Sequence, residues 1–385
     1  MKNNLNILFI LETPNPNRGG IAMSTVILSN NLRKRGYRIN YAYFSHMHDY
    51  QAGDEAFTFK EYSSEDEMKR IFYHELKKRK IDIIIDQDIN GSNMCALFKM
   101  IRKDLHIPII YCVHTLPDHD RYWKLGWYYN LTEYLYKLRK GHFSSAERYI
   151  EMYSSVDRYV LLSPSFINIA KDYYNLSDCS KFRVIPNAIE PIDNNNIIKF
   201  DDKPKQFLIV SRLVEHPKNI TAALRIWKKF EDKNQDYTLK LAGYGPDENK
   251  ILNYASNLNL RNFEFIGKTN NPGILYNQSR YFMMTSICEG FGMTLVEAQQ
   301  YGCIPFAFDS YASLHDIVDD SYNGFIINNG NENMYANKML ECVKDVNISR
   351  VSMNAVKSVA KFDSSLITDR WELLFNELCN IKLES

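Results

Sequence analysis

The chain has 385 residues, 45% of them hydrophobic and 24% charged, with a formal net charge of +1 at pH 7. That length exceeds what one core usually supports, so two domains are expected. The near-neutral charge argues against nucleic acid as the main partner, and no apolar run reaches the roughly 18 residues of a membrane span.

The first strand-like run, Leu5–Leu11, begins almost at once, with no long apolar region before it. That predicts no signal peptide and a cytoplasmic protein. Gly19-Gly20 then opens a helical stretch to about Arg35. Next come a strand at Arg38–Phe44, a helix opening at the capping-box sequence Ser64-Glu-Asp-Glu67, and a strand at Ile81–Asp86. A helix near Ser92–Lys103, a strand at Pro108–His114, a long helical region, and strands at Arg158–Leu162 and Phe182–Ile185 complete the first half. Strand and helix in alternation imply a mostly parallel, doubly wound sheet.

Residues Asn187–Pro204 are polar and turn-rich and read as a linker. The alternation then restarts, with strands at Phe207–Val210, Thr238–Ala242, Phe263–Ile266, Tyr281–Thr285, Ile304–Phe308 and Gly324–Ile327. The expected fold class is therefore α/β with two Rossmann-like domains, 1–190 and 191–363, facing each other across a cleft lined by strand carboxyl ends. The seven cysteines are scattered and form no Cys-x-x-Cys, which predicts reduced thiols without a disulfide frame or zinc.

The candidate residues lie at or just after predicted strands. Gly19-Gly20 is either a plain turn or a place where backbone approaches a phosphate or sugar. It is not a Gly-x-Gly-x-x-Gly fingerprint. Asp86-Gln87-Asp88 has the Asp-x-Asp form of a metal site, or is a strand-end pair. His114 ends its strand, as a sugar contact or a structural histidine. Arg212 and Lys218 are either solvated loop charges or a pair that grips one diphosphate, Arg through its planar fork and Lys as a point charge. Gly243-Tyr-Gly245-Pro246 opens a helix, and Gly267-Lys268 offers backbone to a base. The segment Arg121–Lys140 holds seven aromatic and five basic residues against one acid. It suits a membrane interface, a sugar-stacking surface or a helix packed on its own domain.

The most informative stretch is Ser286-Ile-Cys-Glu289-Gly290-Phe291-Gly292-Met293-Thr294-Leu295-Val-Glu297-Ala298. An apolar run, a glycine turn and an amphipathic segment read as strand, loop and helix. The first amides of such a helix favour an anion. Glu289 before the turn and Glu297 inside the helix add acceptors for hydroxyls. Phosphate plus hydroxyls points to a sugar nucleotide.

Together these motifs resemble the retaining glycosyltransferases of family four, which have the GT-B architecture. Ser286–Ala298 fits that family's S-x-x-E-G-F-G-x-x-x-x-E-A pattern. Pro186-Asn187 resembles its Pro-Asn-Gly segment, with Ala188 in place of the glycine, and Lys218-Asn219 stands where Lys-Gly is common. The resemblance implies that Glu289 holds the donor sugar and Glu297 the ribose. Amides of Phe291–Thr294, with Arg212 and Lys218, would hold the diphosphate, and His114 would contact the sugar. Gly19, Gly20, Gly243, Lys268 and Leu295 join the donor-binding set. A C-terminal helix, about 364–385 and including Trp371, would return to the first, acceptor-binding domain.

The implied reaction is transfer of a hexose or N-acetylhexosamine from a nucleotide sugar, with uridine diphosphate as carrier. It needs no metal or other cofactor. The acceptor is a glycan or lipid-linked hydroxyl in bacterial surface-polysaccharide assembly, and Arg121–Lys140 would offer any contact with the inner membrane. The competing readings are a catalytically silent partner of another transferase, and a sugar-nucleotide epimerase or hydrolase on the same fold.

Overall fold

The computed structural model describes residues 5–44, 55–60, 64–89, 92–117 and 145–384. The chain divides into two compact units, Met1–Glu190 with Ser364–Ser385, and Pro191–Asp363.

The first unit is built on seven parallel strands: β1 (Asn6–Leu11), β2 (Arg38–Phe44), β3 (Ala56–Phe59), β4 (Ile83–Gln87), β5 (Ile109–Val113), β6 (Arg158–Leu161) and β7 (Phe182–Val184). Their order is β3-β2-β1-β4-β5-β6-β7. Strands β1, β4 and β5 are buried along their whole length, which is why they read as continuous apolar runs rather than alternating ones. Strand β3 was not expected. It is a four-residue edge strand that pairs with β2 alone among the described residues. Ser64 caps the helix Glu65–Arg79 as the capping-box pattern implies, its Oγ accepting from the Glu67 amide at 3.3 Å.

The helix Ser364–Glu384 belongs to this unit. Its Ile367, Trp371, Leu374, Phe375 and Leu378 enter the same core as Phe9, Leu28 and Ile85. Ion pairs fasten its polar side. Arg35 meets Glu372 at 2.6 Å, and Arg158 of β6 meets Glu377 at 2.6 Å. Arg183 of β7 grips Glu377 too, and it joins Arg158 in holding that carboxyl below its usual range.

The second unit has six parallel strands: β8 (Gln206–Val210), β9 (Thr238–Ala242), β10 (Phe263–Gly267), β11 (Tyr281–Met284), β12 (Ile304–Asp309) and β13 (Phe325–Asn328), in the order β10-β9-β8-β11-β12-β13. Phe207 is the hub of the core. Its ring stacks on Tyr281 at 4.6 Å and meets Trp227, Phe230 and Tyr237 at 5.2–5.6 Å. The expected linker Asn187–Pro204 is only partly one. Phe200 and Lys203 are buried, and Lys203 donates to three backbone carbonyls of the second unit. A lone aromatic and a satisfied lysine anchor a segment whose composition looks solvated.

Replacing buried Trp371 by alanine is expected to cost about 3–5 kcal/mol by emptying the seat of the C-terminal helix. The neighbouring Leu373 is 70% exposed, and its alanine variant should stay within about 0.5 kcal/mol of the parent. Urea unfolding of both variants checks the contrast.

Candidate active site

In the second unit the strand order reverses between β8 and β11, whose neighbours lead away in opposite directions. Ligands in open parallel sheets bind beyond the strand carboxyl ends at such a reversal. The loops there are Ser211–Asn219 after β8 and Thr285–Gly292 after β11. They are tied to each other. The Ile287 amide donates to Pro217 O at 2.8 Å, and Thr285 Oγ1 to Asn219 O at 2.9 Å. Across this seam Lys218 Nζ meets Glu289 Oε1 at 2.6 Å, and Ser286 Oγ donates to the same oxygen at 2.6 Å. The structure thus joins Lys218 and Glu289 directly, and adds Ser286 to them.

The position of Arg212 is set by glycines thirty residues away. A Cβ on Gly243 would lie 1.8 Å from Ser211 O, and one on Gly245 would lie 2.3 Å from Leu213 O. Only glycine lets the two backbones meet, and they do. Ser211 N donates to Ala242 O at 3.1 Å, Leu213 N to Tyr244 O at 2.9 Å and Asp247 N to Leu213 O at 3.0 Å. Gly243 is therefore needed for loop-on-loop packing, a reason that the strand-loop-helix pattern does not disclose. Arg212 is exposed and forms no ion pair among the described residues. Lys268 lies over the Tyr244 ring, 4.7 Å from its centre, a cation–π contact.

The helix Met293–Gln300 starts from Gly292 at φ 93°, a left-handed conformation that favours glycine. Leu295 N is bonded to Gly292 O. The amides of Met293 and Thr294 make no such turn bond among the described residues, so they are the donors of this helix start. Phe291 and Leu295 are buried. The Phe291 ring sits edge-on to Phe362 at 5.4 Å, so these two side chains anchor the turn, and Gly290 lies between Glu289 and that anchor.

Glu297 lies within the helix, where Tyr276 donates to its Oε2 at 2.9 Å. Burial pushes the carboxyl up to about 7, with the Tyr276 hydrogen bond opposing the shift. Tyr276 belongs to the helix Pro272–Gln278. No local pattern in the sequence pairs it with Glu297.

In the first unit the order reverses between β1 and β4. Gly19 has φ 152° and precedes the helix Gly20–Lys34. This backbone calls for glycine, whereas Gly20 has open space around it and an ordinary φ. His114 follows β5, and its amide donates to Asp88 Oδ2 at 3.2 Å. Its Nε2 is in close contact with Gln87 Oε1, while the buried Nδ1 has no partner among the described residues. Burial pushes the imidazole down to about 4, so it is neutral at pH 7. A small pocket of about 20 Å³ joins His114 and Gln87 to Ser24, Thr25, Asn187 and Trp371. Asn187, from the Pro186-Asn187-Ala188 segment, and Gln87, the middle residue of Asp86-Gln87-Asp88, were not among the expected site residues, although each lies inside a motif.

Asp86 is fully buried, and burial holds its carboxyl well above the usual range. One oxygen accepts from the Ile89 amide at 2.7 Å. Asp88 instead turns to Tyr111, whose hydroxyl donates at 2.7 Å. Both side chains lie at or just after the end of β4, and no group of three or more His, Cys, Asp or Glu side chains that could hold a metal occurs among the described residues. Segment Arg121–Lys140 lies outside the described residues.

The comparisons with known proteins follow the same division. The sequence model for Glycosyltransferase Family 4 matches residues 18–192 and that for Glycosyl transferases group 1 matches residues 192–357. The chain belongs to the family-four glycosyltransferases. Among curated relatives it is 24% identical over 205 residues to the poly(glycerol-phosphate) alpha-glucosyltransferase of Bacillus subtilis, covering 53% of this chain and 30% of the relative. It is 28% identical over 191 residues to the poly(ribitol-phosphate) alpha-N-acetylglucosaminyltransferase of Staphylococcus aureus, covering 47% and 38%. These matches span well under two thirds of either relative.

Among solved structures, a mutant of S. aureus TarM in complex with fondaparinux, alpha-GlcNAc-glycerol and UDP aligns with a TM-score of 0.72 at 14% identity, over 97% of this chain and 100% of that one. Anabaena HepE with UDP and glucose aligns with a TM-score of 0.73 at 15% identity, over 97% and 100%. The shared architecture is GT-B.

The raised Glu297 has a stability signature. Its ordinary value is 4.5 and its folded value is about 7, so the folded chain keeps a proton that the unfolded chain loses. Stability from this group is present below pH 4.5 and is lost as pH rises through about 7. Glu297→Gln should therefore raise the melting temperature at pH 8 and change it little at pH 5. Thermal unfolding at both values measures this.

Proposed function

We propose that the chain is a retaining glycosyltransferase. It moves a hexose or N-acetylhexosamine from a uridine-diphosphate sugar to a hydroxyl of a glycan or lipid-linked acceptor in bacterial surface-glycan assembly. The observation that carries this is the junction of Lys218, Glu289 and Ser286 at the β8/β11 reversal. Beside it lie exposed Arg212 on the same loop and the amide-bearing start of the helix Met293–Gln300. The names of relatives that act on poly(glycerol-phosphate) and poly(ribitol-phosphate) support a surface-glycan acceptor. The UDP in the neighbouring structures supports the carrier. No described helix is long and apolar enough to cross a membrane, and a place at the cytoplasmic membrane face, through Arg121–Lys140, is part of the proposal.

The chemistry follows from where charge develops. Breaking the bond between the anomeric carbon and the phosphate oxygen leaves an oxocarbenium-like sugar and a more negative diphosphate. Lys218, Arg212 and the Met293 and Thr294 amides stabilise that oxygen. To do so Lys218 exchanges its bond to Glu289 for one to phosphate, while Glu289 turns its acceptors to the sugar hydroxyls. The leaving oxygen takes the proton of the incoming hydroxyl on the same face of the sugar, so configuration is retained without a protein nucleophile. His114, uncharged at pH 7, serves the sugar as a neutral hydrogen-bonding group. Glu297 takes the ribose, and Lys268 with Gly267 the base.

An Arg212→Ala/Lys218→Ala double variant should lose about a hundred- to thousandfold in turnover, read with the nucleotide sugar that gives the largest thermal shift. Glu289→Gln should lower turnover and blur the choice between donor sugars. Near-normal turnover in the double variant overturns the assignment of the leaving-group cations.

Activity should also persist in excess chelator, because the cationic work is assigned to side chains and amides. Loss of activity in chelator with recovery on adding manganese overturns the metal-independent mechanism.

A further inference from the structure

This inference rests on the reading of Glu297 as the ribose-binding group. Around that carboxylate stands more apparatus than a helix glutamate needs. Tyr276 is 1% exposed and spends its hydroxyl on Glu297 Oε2 at 2.9 Å. The helices that carry the two residues are held together at close range. A Cβ on Gly273 would lie 2.4 Å from the Tyr301 hydroxyl, so a side chain there would displace the Tyr301 ring. The Tyr276 and Tyr301 rings stack at 6.1 Å and 22°. Buried Lys203 then ties the carboxyl ends of both helices, donating to Tyr276 O at 3.3 Å, Ser279 O at 3.1 Å and Tyr301 O at 2.6 Å. The Cys303 thiol closes the same corner on Ser279 O at 2.9 Å.

We propose that Tyr276 is a positioning residue for nucleotide recognition, holding the plane of the Glu297 carboxylate so that it accepts from both hydroxyls of a ribose, and thereby setting a preference for ribonucleoside over deoxyribonucleoside diphosphates. The physical reason is the geometry of the acceptor. A carboxylate free to rotate meets one hydroxyl at a time. One fixed through Oε2 by the Tyr276 hydroxyl keeps Oε1 and the remaining lone pair of Oε2 as acceptors in a set plane, which a vicinal diol can use together. A site built to pair hydroxyls discriminates against analogues that lack them, because its acceptor is then left unpaired. Lys203 acts one step further back, by fixing the two helix ends that set the Tyr276–Glu297 distance.

The test is Tyr276→Phe, which removes one hydroxyl and keeps the stacked ring. UDP, GDP and ADP are titrated into the wild-type chain, and the tightest binder is carried forward with its 2′,3′-dideoxy counterpart. Tyr276→Phe should weaken ribonucleotide binding by about fivefold to tenfold and leave the affinity for the dideoxy form unchanged, so that the ribo/deoxy ratio falls by the same factor. The pH midpoint of ribonucleotide binding should move upward, because the Tyr276 hydrogen bond favours the ionised carboxylate. A merely structural tyrosine would change both affinities together, and that outcome overturns the proposal. Glu297→Gln separates the two levels. If it weakens ribonucleotide binding while Tyr276→Phe changes nothing, the positioning role is wrong and the ribose reading survives. If Glu297→Gln also changes nothing, the ribose reading falls and the proposal falls with it. A wild-type chain that binds none of the three diphosphates removes both.

Discussion

The second unit depends on a contact between two backbones. Ser211 O lies where a Cβ on Gly243 would intrude to 1.8 Å, and from that contact a chain of hydrogen bonds runs through the loops. Leu213 O holds the Asp247 amide, the Asp247 carboxylate holds the Glu215 amide at 2.8 Å, and the Glu215 carboxylate caps the next helix through Thr221. Pro217 and Asn219 then receive the β11 loop. Arg212, Lys218 and Glu289 sit along this chain. Their backbones are fixed before any ligand arrives, as electrostatic catalysis requires of its charges and dipoles.

The parallel order of the strands explains why these loops meet. Strand β8 lies beside both β9 and β11, so the loops that leave β8, β9 and β11 emerge side by side. Residues more than seventy positions apart, such as Lys218 and Glu289, become hydrogen-bond partners. The reversal between β1 and β4 does the same in the first unit. There Gln87 and Asp88 reach His114 from the next strand, and the helix that starts at Gly20 shares a pocket with them.

Much of this was legible because its signals are local. Strands covered on both faces make continuous apolar runs, and Ser286–Glu297 carries loop and helix in one stretch. What was missed depends on partners distant in sequence or absent from side-chain patterns. Strand β3 is four residues at a sheet edge, too short to declare a period. Lys203 and Phe200 sit in a polar segment whose composition hides two buried anchors. Tyr276 meets Glu297 across two helices, and nothing in either helix announces the other. Gly243 reads as a loop glycine of the donor-binding set, and its constraint by the carbonyl of Ser211 leaves no mark on side-chain chemistry. Asp86-Gln87-Asp88 has a spacing that suits a metal site or a strand-end pair alike, and the spacing does not disclose that the first carboxyl is buried against the Ile89 amide.

At the seam between the β8 and β11 loops the charges of Lys218 and Glu289 are paired, while Arg212 beside them is exposed and forms no ion pair among the described residues. Lys218 and Glu289 cancel each other, and Glu297 holds its proton up to about pH 7. That pairing bears on selection in the proposed reaction. A bare diphosphate that draws Lys218 away leaves Glu289 with Ser286 alone, and a bare sugar that engages Glu289 strips Lys218 of its counter-charge. Each half-ligand must break a charge-assisted bond and leave one member under-satisfied. On the proposed reading a nucleotide sugar would meet both members at once, the phosphate taking the ammonium and the hydroxyls taking the carboxylate. In the proposed reaction the ion pair would thus couple the two halves of the donor, the free energy of opening it being recovered only when sugar and diphosphate arrive in one molecule.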